Sequence, residues 1–367
     1  MGELRYTVMM ELRSIREAVV NGKRVLVRVD FNVPMKDDVI QDDSRIKAAL
    51  PTIQFLTDNG ATVLLATHLG RPDGKVVEEL RTAPLQKKLE ELGIKGVEML
   101  ENLRFDPREE QNDPSLAQEL AARADIFVND AFGTAHRAHA STVGVASLLP
   151  SYAGLLMERE VEALTEALTP PKGSIAVIGG AKFETKQPLI EKLLSLYDTI
   201  LLGGALGNDV IKARGHAVGA SLMSSVPVPV SIASNERLQI ATDAVVSERE
   251  LHAERTALIN DIRAVEAIVD IGPNTARAWS KEIAEAPFVL WNGPMGIYED
   301  GHMSGTDALA QALVSSPAKA VVGGGDTVAA IAKHSFNPSR VFLSTGGGAM
   351  LEFLAKGTLP GLEVLKK

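Results

Sequence analysis

Apolar positions along this chain fall into two rhythms. Short runs rich in Val, Ile and Leu recur as "RVLVRV" (24–29), "TVLLAT" (62–67), "IFVN" (126–129), "IAVIG" (175–179), "TILLG" (199–203), "FVLW" (288–291), "AVVG" (320–323) and "VFLS" (341–344). Such runs predict strands buried on both faces. Between them, stretches such as "APLQKKLEELG" and "QPLIEKLLSLY" repeat apolar residues three and four apart, as amphipathic helices do. Alternation of the two predicts parallel sheets flanked by helices. "SYAGLLMEREVEALTEALTPPKG" (151–173) predicts one long helix, closed by Pro170, Pro171 and Gly173, and marks a boundary between two domains. The regions on either side share this grammar but not their sequence, so they are not a repeat.

Composition sharpens the picture. A chain of 367 residues is too long for one ordinary domain and suits two. Apolar residues make up 45% and aromatics only 4%, with 31 glycines, so the cores must be aliphatic, which favours α/β architecture. A net charge of -9 argues against nucleic-acid binding by bulk electrostatics. The absence of cysteine excludes disulfides and thiolate chemistry and fits a reducing cytosol. The N-terminal "MGELRYTVMMELRSIREAVV" carries charges throughout, unlike a signal peptide, and no apolar run approaches the roughly 18 residues of a membrane span. These features predict a soluble, cytoplasmic protein.

Ligands of parallel sheets bind beyond the carboxyl ends of strands, so chemistry is sought there. In the first half those ends carry arginine and polar groups. They are Asp30 and Asn32 in "RVDFNVP", His68 and Arg71 in "ATHLGRP", Arg104 in "ENLRF", His136, Arg137 and His139 in "NDAFGTAHRAHAST", and Arg45 opening a helix. Converging guanidinium forks suit a small, multiply anionic ligand; singly, each arginine is equally well a surface residue paired with an acid. In the second half the strand ends carry glycine: "IGGAKFETK", "LLGGALGND", "WNGPMGIYE", "GGGDT" and "STGGGAM". Glycines at helix starts make a phosphate-binding surface. Asp326, after three glycines, is either a helix cap or a magnesium contact, or both. Lys182 and Lys186, four apart around a helix start, can lie on one face, neutralising a phosphate chain or merely solvated. Neither a P-loop nor a clean dinucleotide fingerprint occurs. His216, His252, His302 and His334 read as surface or structural, and the acidic run Glu109 to Asp113 as a solvated loop.

A half built for a small anion and a half built for a nucleotide suggest phosphoryl transfer, which needs positioning and charge neutralisation rather than a covalent nucleophile. The motifs "RVLVRVDFNVP", "DDSRIKAALPTI", "HLGRP", "LENLRF", "NDAFGTAHRAHAST", "GGAK", "DIGP", "VLWNGP", "GGGDT" and "STGGGA", in this order through nearly the whole chain, resemble phosphoglycerate kinase. The resemblance implies an α/β fold of two doubly wound, Rossmann-like parallel-sheet lobes joined by a hinge helix (152–168). Residues 1–155 would form the lobe for 3-phosphoglycerate or 1,3-bisphosphoglycerate. Residues 156–354 would form the lobe for MgATP or MgADP, with the tail 355–367 folded back on the first. It implies reversible phosphate transfer between ATP and 3-phosphoglycerate in glycolysis, by a monomer.

Carried onto this sequence, the resemblance gives Asp30, Phe31, Asn32, His68, Leu69, Gly70, Arg71, Arg104 and Arg137 to the triose ligand, with Arg45 at its carboxyl end. Lys182, with Arg45, would stabilise the group in flight, and Gly347 and Gly348 would face it from a helix start. Lys186 and Asn292 would meet nucleotide phosphates, Gly324, Gly325 and Thr327 would lie beside them, and Glu299 would meet the ribose. Gly180, Gly203, Gly204 and Pro294 would shape the adenine pocket. Asp326 would hold magnesium.

The chain also departs from the family pattern. It lacks about one helix-and-strand unit between "HLGRP" and "LENLRF". It has "GGALGNDVIKA" where the family commonly reads "GGGMAFTFLKA", and "MSSVPVPVSIASNERLQIA" where a longer helix is expected. Ile268 stands where Gly is frequent. The last three touch the adenine side and bear on nucleotide affinity and base choice. A non-catalytic relative would be expected to lose Lys182, Arg45 or Asp326, and none is lost. An NAD-dependent oxidoreductase would need the fingerprint that is missing.

Overall fold

A computed structural model describes residues 10–248 and 253–367. The chain divides into two compact units. The first comprises the chain up to Glu162 together with Lys356–Lys367, and the second is Ala163–Ala355.

In the first unit, β1 (Arg24–Arg28) leads through a small hairpin, β2 (Met35–Lys36) and β3 (Val39–Ile40), to α1 (Ser44–Asp58). Then come β4 (Thr62–Ala66), α2 (Ala83–Glu91), β5 (Val97–Met99), α3 (Pro114–Ala121), β6 (Ile126–Asn129) and β7 (Ser151–Ala153). The sheet order is β5-β4-β1-β6-β7, all parallel. Alternation along β1 splits two cores. Val25 and Val27 pack with Ile53, Leu56 and Leu85 on one face, and Leu26 packs with Phe127, Leu116 and Leu120 on the other. The C-terminal residues join this unit: Arg13 N–H donates to Leu365 O (2.9 Å) and Gly361 N–H to Ala135 O (2.8 Å).

The predicted helix over 151–173 is shorter than expected. Ser151–Ala153 pair with β6 as a strand, and α4 runs only over Leu155–Leu168. The break lies at Gly154, where a Cβ would stand 2.2 Å from an oxygen of Asp130. That carboxylate, held at the end of β6, accepts from Leu156 N–H (2.9 Å) and Met157 N–H (3.1 Å). It satisfies two of the amides that a helix start leaves open. The units divide inside α4, after Glu162 rather than at residue 155.

The second unit continues with β8 (Ile175–Ile178), α5 (Phe183–Leu194), β9 (Thr199–Leu202), α6 (Gly204–Ala213), α7 (Val230–Ala233) and β10 (Leu238–Ile240). Next are β11 (Asp243–Glu248), β12 (Ala253–Leu258), β13 (Ala267–Ile271), α8 (Pro273–Glu285) and β14 (Phe288–Asn292). It closes with α9 (Ser304–Ser315), β15 (Lys319–Gly323), α10 (Gly325–Ala330), β16 (Val341–Ser344) and α11 (Gly348–Lys356), after which α12 (Pro360–Glu363) belongs to the first unit. A parallel sheet of order β10-β9-β8-β14-β15-β16 carries the glycine-rich strand ends. Beside it stands an antiparallel sheet, β12-β11-β13, which the expectation of parallel sheets alone does not include. Its edge strand β12 buries only Ala257 and carries no apolar run, whereas β13 is buried along most of its length. Among the described residues no helix is long and apolar enough to cross a membrane.

Burial pushes the Asp130 carboxyl up to about 6. The folded chain therefore holds this proton more tightly than the unfolded chain, whose Asp titrates near 4. Asp130's contribution to stability is expected to fall as pH rises from about 4 to about 6, and Asp130→Asn should remove that slope. Asp130→Ala, which deletes the cap, should cost about 1–2 kcal/mol. Urea midpoints of the three proteins across this pH range test both statements.

Candidate functional site

In the first unit the strand ends converge through their own hydrogen bonds. Arg45 Nη1 donates to Asp30 Oδ2 (3.1 Å) and to Asn32 O (3.2 Å), and Gly70 N–H donates to Asn32 Oδ1 (2.9 Å). Phe31 N–H donates to Thr67 Oγ1 (2.9 Å), and Leu69 N–H to Asn102 Oδ1 (3.1 Å). Arg104 Nη1 donates to Gly70 O (2.7 Å). The loops after β1, β4 and β5 are thus tied into one surface. His68 is buried within it. Burial first, and then Arg28, Arg104, Arg45 and Arg137, hold its imidazole well below the usual histidine range. His139 is pushed down to about 4 by burial and then by Arg28, Arg104, Arg137 and His136. Both rings are neutral at pH 7 among cations. Arg71 is exposed and makes no hydrogen bond or ion pair among the described residues, while Arg137 Nε donates to His136 Nε2 (3.2 Å).

Two residues missed by the sequence reading underlie this surface. Arg28 ends β1 and is fully buried; its Nε donates to Ser141 Oγ (2.9 Å) and its Nη2 lies 3.2 Å from His68 Nδ1. A cation inside the apolar run "RVLVRVD" is the signal that could have found it. The second is Glu109, expected in a solvated loop. It is buried instead, accepting from Ser141 Oγ (2.5 Å) and Ser141 N–H (2.9 Å). Burial raises its pKa, and the charge of Arg28 opposes that rise. Buried guanidinium and buried carboxylate thus share one serine. Its neighbour Glu110 stays half-exposed, 3.2 Å from Arg104 Nε, and Asp113 caps α3 by accepting from Ser115 N–H (2.7 Å).

In the second unit a cavity of 320 Å³ is lined by Gly180, Gly204, Pro294, Glu299 and Asp326 of the expected set. It is also lined by Asn208, Leu222, Ile268, Asp270 and Tyr298, among others. Asp326 is not the helix cap, since the N-cap of α10 is Gly324; its Oδ1 accepts from Tyr298 Oη (3.3 Å). The three glycines have separate reasons. A Cβ at Gly323 would lie 2.1 Å from Met350 Sδ, Gly324 has φ +102°, and Gly325 opens α10 with no neighbour in reach.

The two lysines do not share a helix face. Lys182 lies before α5, exposed, with left-handed backbone (φ +66°), whereas Lys186 is nearly buried. Lys186 Nζ donates to Gly179 O (2.6 Å) and Asn292 Oδ1 (2.9 Å), and Asn292 Nδ2 donates to Gly323 O (2.8 Å). Burial pushes the ammonium down to about 8 against the pull of Asp326. Thr327 Oγ1 accepts from Gly293 N–H (2.6 Å). Gly203 is the N-cap of α6, Gly347 has φ +47°, and Gly348 begins α11. Of the histidines set aside, His216 meets Asn260, His302 lies near Glu254 and His334 near Asp307; His252 and the first nine residues lie outside the described residues.

Glu109→Ala should cost about 3–5 kcal/mol by leaving Arg28 buried without its carboxylate, whereas Glu110→Ala, on the surface, should cost under about 1 kcal/mol; thermal unfolding of the two variants compares them. In spectra of ring-labelled histidine, His139 should titrate near pH 4 and His68 should stay neutral at pH 6.

Comparison with known proteins accords with this geometry. The phosphoglycerate kinase family model matches residues 15–100 and 94–357. The phosphoglycerate kinase of Roseiflexus sp. (strain RS-1) is 44% identical, covering 97% of this chain and 99% of its own; that of Moorella thermoacetica is 44% identical over 96% and 98%. The solved phosphoglycerate kinase of Coxiella burnetii superposes with a TM-score of 0.84 at 38% identity, covering 97% of this chain and 98% of that one. That of Pyrococcus horikoshii gives 0.83 at 31% identity over 96% and 98%. With a family match through most of the chain and relatives this similar over nearly all of it, the chain belongs to the phosphoglycerate kinase family.

Proposed function

We propose that the arginine surface of the first unit holds 3-phosphoglycerate or 1,3-bisphosphoglycerate, and that the cavity of the second unit holds ATP or ADP. The family's reaction moves a phosphoryl group reversibly between the nucleotide and the triose carboxylate. The observation that carries the assignment of surfaces is the convergence of Arg28, Arg45, Arg104 and Arg137 on the neutral His68. Two histidines kept uncharged among guanidinium groups donate or accept hydrogen bonds while the arginines supply charge. That combination suits a small ligand bearing phosphate and carboxylate.

In the direction that consumes ATP, a triose carboxylate oxygen attacks the γ-phosphorus, the P–O bond to the β-phosphate breaks, and ADP leaves with the bonding pair. The attacking carboxylate is already ionised, so no general base is required. Asp30, Asn32, His68, Arg71, Arg104 and Arg137 orient the triose, with the backbone of Phe31, Leu69 and Gly70 framing them. Arg45 and Lys182 stabilise the charge spread over the transferring group, helped by the amides at Gly347 and Gly348. Gly180, Gly203, Gly204 and Pro294 shape the base site, Glu299 meets the ribose, and Asn292, Gly324, Gly325 and Thr327 adjoin the phosphates. Lys186, tied to Gly179 O and Asn292 Oδ1, acts mainly by fixing those strand ends.

Magnesium fits Asp326. The acid is exposed at the cavity, and no group of three or more metal-ligating side chains occurs among the described residues. One carboxylate plus nucleotide phosphates is how this ion is commonly held. Bound there, it would neutralise phosphate charge. We further propose a monomeric, cytoplasmic enzyme whose partners are these small molecules, with neither nucleic acid nor membrane.

An assay supplying ATP, magnesium and 3-phosphoglycerate, with product formation coupled to NADH oxidation, tests the reading. Turnover is expected, and Lys182→Ala should lower kcat by about 10²–10³-fold. A wild-type protein that binds both ligands without turnover would reduce it to a binding protein; one that binds NAD but not ATP would overturn the nucleotide assignment.

A further inference from the structure

Lys182 carries its left-handed backbone without the freedom of glycine, at φ +66° and ψ 77°. Such a conformation persists only where neighbours fix it. Its own peptide is held from both sides. The Lys182 carbonyl accepts from Thr185 N–H (3.1 Å) and Thr185 Oγ1 (2.9 Å). The amide on the other side of that peptide, Phe183 N–H, donates to Ser224 Oγ (2.8 Å), a residue 41 positions along the chain. Ser224 is itself locked: its Oγ–H donates to Asp209 Oδ2 (2.6 Å) and its N–H to Asp209 Oδ1 (2.9 Å). Both carboxylate oxygens are used, so the serine hydroxyl can turn only its lone pair toward Phe183. The preceding residue on α6, Asn208, holds the same loop through Nδ2 to Leu222 O (3.2 Å).

We propose that Asp209 and Ser224 are positioning residues that fix the Lys182–Phe183 peptide plane and thereby aim the Lys182 ammonium at the transferring phosphoryl group. Asp209 lies in "GGALGNDVIKA" and Ser224 in "MSSVPVPVSIASNERLQIA", two of the segments where this chain departs from the family pattern. The departures are joined to each other and to the start of α5. The consequence for catalysis rests on the role proposed above for Lys182; the brace itself does not.

The test uses Ser224→Ala, Ser224→Thr and the isosteric Asp209→Asn in the full-length protein. Backbone amide exchange of Phe183 should quicken at least about tenfold in Ser224→Ala and stay slow in Ser224→Thr. In the coupled assay, Ser224→Ala and Asp209→Asn should lower kcat by about ten- to a hundredfold, with the KM for MgATP within about twofold, and Ser224→Thr should restore most of kcat. On a Lys182→Ala background, Ser224→Ala should add nothing, because the group it aims is gone.

Unchanged Phe183 exchange would overturn the brace. An equal loss of kcat on both backgrounds would show that the pair supports the fold without aiming Lys182. A wild-type protein inactive in the assay would refute the reaction assigned to the site, while the exchange result would still judge the brace. Should Ser224→Ala fail to fold, Asp209→Asn carries the same comparison.

Discussion

Parallel pairing sends every strand of a sheet out through the same edge, and both main sheets of this protein obey it. Loops far apart in sequence then meet, and each can place one or two polar groups beside those of its neighbours. In the first unit Asp30, His68, Asn102 and Arg137 come from the ends of four different strands, and direct hydrogen bonds such as Asn32 to Gly70 and Asn102 to Leu69 register those ends against one another. A shift of one loop would carry its neighbours with it. This coupling lets strand termini, otherwise the least constrained part of the fold, hold a fixed arrangement of charge.

Gathering cations at one edge carries an electrostatic cost, and the first unit meets it in two ways. Its histidines give up their protons, so His68 and His139 add polarity without adding charge. Beneath them, the carboxylate of Glu109 reaches Arg28 through the hydroxyl of Ser141. A direct contact would have cancelled the guanidinium locally. The serine keeps acid and base apart while satisfying the polar atoms of both, so Arg28 remains a cation beneath the surface.

The strands of both main sheets that read as apolar runs were legible because burial on two faces leaves an unambiguous pattern, and the strand-end arginines and glycines followed from that frame. What escaped had physical reasons. Strands β5, β7 and β10 have three residues each, too short for a rhythm. Strand β12 of the antiparallel sheet buries only Ala257, so it leaves no apolar run to read. Glu109 belongs to a run of acids in the sequence, and only its distance from Ser141 separates it from its exposed neighbours. Asp130 looked like part of a ligand motif and proves to cap α4, a pairing between residues 26 and 27 positions apart that no local pattern announces.

The two units answer the same problem with different cations, and the chemistry of each explains the choice. A guanidinium keeps its charge when buried, so Arg28 can sit wholly inside the first unit. An ammonium yields its proton more readily, and Lys186 has moved to about 8, still charged at neutral pH. Its three donors are spent partly on Gly179 O and Asn292 Oδ1, and Asn292 passes the connection to Gly323 O. The ends of β8, β14 and β15 are thereby stitched through two nitrogens, Lys186 Nζ and Asn292 Nδ2. Thr327 adds a second stitch by accepting from Gly293 N–H. Groups that the sequence suggests as phosphate contacts are thus the framework that fixes the backbone amides around them. Lys186 is in this way anchored inside the protein, whereas Lys182 at the start of the same helix stands exposed.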